Sequence, residues 1–145
     1  MQWQQVNRTQ AEIAFGVCEN RSGASILGNY PVCFTTTTGS NDGVQVVAPA
    51  SGNLFTFAGF ADADIADAAS GALFQCYGYR ASVRIFATGT SGTVDAGVVM
   101  GVGAGSNGVN STGSLDTYGP VVSMESIPAA TCSPGGYAKA FIRLL

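Results

Sequence analysis

The stretch Leu73–Phe86 fixes the most about what this chain can fold into. Within it Tyr77, Tyr79, Ala81, Val83 and Ile85 fall on one parity, and Gly78, Arg80, Ser82 and Arg84 on the other. Alternation with a period of two is the mark of a half-buried strand, because successive side chains of a strand point to opposite faces. The reading puts Arg80 and Arg84 together on the outer face. Shorter apolar runs repeat the theme at Val44–Ala48, Leu54–Phe60, Val94–Val102 and Tyr137–Leu144. Gly59 interrupts the second of these and predicts a bulge.

Between the runs lie turn formers: Thr35–Gly43, which ends in Asp42-Gly43, and the glycine-rich stretch Gly101–Gly113. Helix signals are few. Ala61–Ala69 (ADADIADAA) is rich in the best helix former and predicts one or two helical turns, with Gln10–Cys18 a weaker candidate. Many short strands joined by Gly-rich turns predict a mainly β domain with one short helical segment, built as a sandwich, jelly roll or barrel. At 145 residues, with no visible repeat or linker, residues 1–145 read as one domain.

Charge is the unusual part of the composition. Only 10% of residues are charged, against about a quarter in ordinary soluble domains, while eight Phe, five Tyr and one Trp speak against disorder. Protein interfaces are depleted in Lys, Glu and Asp. A chain this poor in charge suits a protein packed among neighbours; a secreted domain with a neutral Thr- and Gly-rich surface fits as well. A net charge of −3 and scattered basic residues argue against nucleic acid as a partner. No apolar stretch reaches the ~20 residues that span a bilayer. The polar opening Met1-Gln2-Trp3-Gln4-Gln5 is no signal peptide and predicts cytoplasmic synthesis. In that compartment Cys18, Cys33, Cys76 and Cys132 are expected to be buried thiols, with pairing after release as the other reading.

The chain has no histidine, so Ser-His-Asp and Cys-His catalysis are excluded. No cysteine sits in a CxxC pair. Asp62, Asp64 and Asp67 form a DxDxxD cluster without the glycine and distal carboxylate of a calcium loop, and read as solvent-facing acids. Glu12 or Glu19 with Glu125 could supply a glycosidase pair, but no spacing supports it. Gly101, Gly103 and Gly105 follow a strand but open no helix, so they read as a loop and not a nucleotide fingerprint. No catalytic residue, cofactor or metal ligand is therefore expected. The candidate interaction residues are Trp3, Val6, Arg80 and Arg84, with residues 1–10 a candidate arm anchored by Trp3.

The segment Asn53–Ile85, an apolar strand, an acidic alanine-rich turn, Ser70-Gly71 and a strand with Tyr77-Gly78, resembles the capsid decoration (cement) proteins of tailed bacteriophages. Gly59, Ala61, Asp64, Ile65, Ala66, Gly71 and Gly78 carry the resemblance; Ala68-Ala69 departs from it where a glycine is expected. It implies a β-rich structural protein bound to the outer surface of the major capsid protein lattice, cementing neighbouring capsomers. It further implies a homodimer or homotrimer on the virion exterior, with no active site. The competing expectations are a carbohydrate-binding β module, with Tyr77 and Tyr79 as its platform, and a small carboxylate hydrolase.

Overall fold

The computed structural model describes residues 12–36, 43–86, 93–103, 108–110, 120–128 and 135–144. Among these residues nine strands follow in chain order: β1 Ala14–Asn20, β2 Pro31–Phe34, β3 Gln45–Val47, β4 Phe57–Ala61, β5 Ser70–Ile85, β6 Val99–Val102, β7 Val109–Asn110, β8 Val121–Ser123 and β9 Gly136–Arg143. The protein is mainly β, as the alternation and turn chemistry predict. Of the β architectures the sequence leaves open, the one observed is a closed five-stranded barrel, with further strands built onto it.

The barrel closes in the order β1-β3-β2-β4-β5 and back to β1. β1 and β3 run parallel; the other neighbours are antiparallel. A second circuit, β5-β7-β6-β8-β9 and back to β5, repeats the arrangement, again with only its first pair, β5 and β7, parallel. The long β5 serves both. Tyr77 pairs with Ala14 on one edge and with Arg143 on the other, so β1 and β9 flank β5 where the circuits meet.

The match between the circuits extends to single hydrogen bonds. Ile26 bridges to Ile65 in the first and Val94 to Ile127 in the second, each outside the strands. Asn29 N–H donates to the Ala61 carbonyl at 2.9 Å, and Gly97 N–H to that of Ser123 at 2.8 Å. Asp62 N–H donates to Leu73 and Met124 N–H to Lys139, both at 3.0 Å. Asn29 and Gly97 hold equivalent left-handed turn positions, with φ of 67° and 86°. The sequence shows no repeat, yet the chain holds a structural duplication. Val32 and Met100, at corresponding positions of β2 and β6, are both fully buried.

Each circuit has its own apolar cluster. Cys18, Ile26, Val32, Val46, Ala58, Ala61, Ile65 and Phe74 fill the first. The second gathers Val83, Ile85, Val94, Met100, Val109, Val121, Ile127 and Ile142, and also takes in Cys33, Phe57 and Phe60 from the first circuit. β4 is consequently buried along its whole length. A bulge makes this possible: Val32 pairs with Gly59 and Cys33 with Phe57, leaving Ala58 as the extra residue. Gly59 has φ of 147°, and a Cβ there would collide with the Gln75 carbonyl, so the bulge needs glycine.

Three local expectations are corrected. Ala61–Ala69 is not helical: it leaves β4, bridges at Ile65 and turns at Asp67-Ala68. Pairing with the Ile26 segment outweighs alanine's helix propensity. The described part of Gln10–Cys18 enters β1, where β5 supplies its hydrogen bonds. Residues Leu54–Thr56, expected as strand, form a 3-10 turn and are the described helical segment.

Candidate functional site

Arg80 and Arg84 do not share a face. Register with β9 shifts between Arg80 and Val83, and the extra residue reverses the parity of β5. Upstream, Phe74, Gly78 and Arg80 are buried; downstream, Val83 and Ile85 are. Arg80 stands opposite buried Ala140, whereas Arg84 stands opposite exposed Tyr137. The outer-face placement fails for Arg80, which is 8% exposed, and holds only in part for Arg84, which is half-buried with its Nε out of solvent.

Arg80 is a structural hub. Its Nη2 donates to Asn29 Oδ1 at 2.8 Å and the Ala61 carbonyl at 2.9 Å. Nη1 reaches Gln75 Oε1 at 3.1 Å and Asp62 Oδ1 at 3.2 Å, and Nε reaches the Ser82 carbonyl at 3.2 Å. The planar guanidinium is the one side chain with enough fixed donors for this cage. Arg84 lies 4.6 Å from the centre of the Tyr30 ring, a cation–π contact, and its backbone N–H donates to Asn29. The Gly28–Tyr30 turn of the first circuit is thus held between two arginines of β5.

The acidic cluster has a related use. Asp64 accepts the Gly28 N–H at 2.7 Å, Asp67 that of Gly23 at 3.1 Å, and Asp62 pairs with Arg80. Asn20 is fully buried; its amide donates to Ala24, Ile65 and Ala66 while its oxygen accepts from Ser22. An asparagine at a strand end beside Ser-Gly was the available signal. Glu19 pairs with Arg21 at 2.8 Å. Glu125 accepts the Lys139 N–H at 2.8 Å, a bond that, with the Lys139 charge, holds its carboxyl below the usual range. Burial pushes the Cys33 thiol up to about 12 and raises Cys18, the reverse of an activated nucleophile. Among the described residues no three potential ligands converge on a metal position. Cys132, Trp3 and Val6 lie outside the described residues.

What the geometry does offer is a surface. Ile13, Phe15 and Val17 alternate outward along β1, and Leu73 stands opposite Val17 on β5; all four are exposed, Val17 by 58%. Phe74 beneath them occupies the space a side chain at position 16 would need, which is why Gly16 lies there. The strand edge is open too. Glu19 N–H donates to Val44 and Asn20 N–H to Ala69, so odd positions of β1 point their backbone groups away from β5. β3 meets that edge only at Glu19 and Asn20, and among the described residues no strand pairs with it at Phe15 or Val17. Tyr77 packs edge-on against Phe141, with ring centres 5.4 Å apart, and is half-buried like Tyr79. No protein-family model matches this chain, and no curated protein matches it in sequence.

Proposed function

We propose that this protein is a structural component of a virus particle that binds the outside of the major capsid protein lattice and cements neighbouring capsomers. The observation that carries the reading is the apolar, uncharged face Ile13, Phe15, Val17 and Leu73, set beside an open strand edge. Contiguous exposed apolar surface of this kind marks protein–protein contact. The resemblance of Asn53–Ile85 to tailed-phage decoration proteins supplies the class of partner, and the low charge supports it. The tyrosines of the sugar-binding alternative support it less, since Tyr77 is engaged by Phe141.

The test is co-sedimentation with expanded shells assembled from the major capsid protein of the same virus. The wild-type protein is expected to pellet with shells at a saturable ratio. Val17→Asp, which puts a charge on the exposed face, is expected to weaken pelleting at least about tenfold with an unchanged thermal midpoint. Wild-type protein that stays in the supernatant at all ratios contradicts the reading.

A further inference from the structure

We infer that the open edge of β1 accepts an extended strand, and that this strand is the N-terminal segment of a second copy of the chain. The inference rests on the assembly role proposed above and assigns the strand edge, beside the apolar face that meets the capsid, to a second copy of the chain. An open strand edge flanked by exposed apolar side chains is a template for strand addition, in which main-chain bonds give affinity and alternate side chains give specificity. The backbone groups of Phe15 and Val17 face that edge, and their side chains are 46% and 58% exposed.

The segment ahead of Glu12 has the composition of an added strand. Gln2-Trp3-Gln4-Gln5-Val6 holds no proline, glycine or charge, and Trp3 is the single tryptophan of the chain. Its place in the sequence argues for a neighbour's edge over its own. Going back from Ala14, the chain passes Gly78, where an added Cβ would collide with the Glu12 carbonyl, and so leaves β1 at the end remote from Leu73. To return, it would have to reverse. Asn7 is the one favoured turn former between Met1 and Ile13. A two-residue turn at Asn7-Arg8 would set Trp3 opposite Glu12, short of Phe15 and Val17. A second copy has no such constraint, and exchange between identical chains closes symmetrically.

Sedimentation equilibrium and Trp3 fluorescence of the full chain, over a range of concentrations, test this. The expected result is a reversible oligomer whose Trp3 emission is blue-shifted when associated and moves to the solvent-exposed position on dilution. Val17→Pro removes one N–H from the open edge and none from the β5 side; it is expected to raise the dissociation constant about tenfold. Trp3→Ala is expected to do the same with the thermal midpoint of the dilute protein retained, so a misfolded Val17→Pro does not decide the matter. A monomer at all concentrations overturns the inference, whether Trp3 is exposed or buried. So does an oligomer that both variants leave intact. A monomer that still pellets with capsid shells overturns strand exchange while leaving the proposed function standing; an oligomer that ignores shells does the reverse.

Discussion

At the scale of single residues, the side chains that set this molecule's shape are polar and buried. Arg80 gathers Asn29, Asp62, Gln75 and the Ala61 and Ser82 carbonyls around one guanidinium. Arg80→Ala is expected to cost about 3 kcal/mol in urea unfolding, since it strands several buried acceptors. Arg80→Lys should recover little of it, because a point charge cannot reproduce the fork. Ala68 has φ of 58°, a left-handed conformation unfavourable for a residue with a Cβ. Ala68→Gly should therefore stabilise the protein by about 1 kcal/mol, against the usual direction of a glycine substitution. The Cys33 thiol titrates near 12 in the fold against an ordinary 9.0. A raised value means stability is complete below pH 9 and declines as pH rises toward 12, by up to ~1.4 kcal/mol per pH unit for this group. The urea midpoint should fall from pH 9 to pH 11, and Cys33→Ala, less stable at pH 7, should show a shallower fall.

At the scale of elements, much was legible and each exception has its own physical cause. Period-two alternation located β5, and the apolar runs located β3, β4, β6 and β9 to within a few residues. The interior of β5 was read correctly only downstream of the bulge, at Val83 and Ile85. A bulge inserts a residue without changing composition, so the pattern on either side looks continuous while its phase reverses. Arg80 therefore looked solvent-facing. The Ala61–Ala69 segment misled because local propensity favoured helix and a distant partner, Ile26, decided for a bridge. Of the candidate interaction residues, Arg84 was placed correctly only in part, and the apolar β1 surface was missed. Phe15 and Val17 belong to a stretch too short, and too mixed with Gly16 and Ala14, to announce a strand.

At the scale of the whole molecule, the shared strand β5 leads us to predict cooperative unfolding of the two circuits. The second core takes Cys33, Phe57 and Phe60 from the first circuit, and the Gly28–Tyr30 turn docks on β5 between its two arginines. Removing the first circuit would take three apolar side chains out of the second core. Thermal unfolding followed by tyrosine absorbance and by far-ultraviolet circular dichroism should give coincident transitions. Two separated transitions would mean that the circuits fold independently.

Cryo-electron microscopy of expanded capsid shells saturated with the purified protein tests the central claim most directly. The account predicts added density on the outer surface of the shell, at fixed lattice positions between neighbouring capsomers and large enough for the two-circuit barrel. Shells that remain bare in the presence of excess folded protein would contradict it.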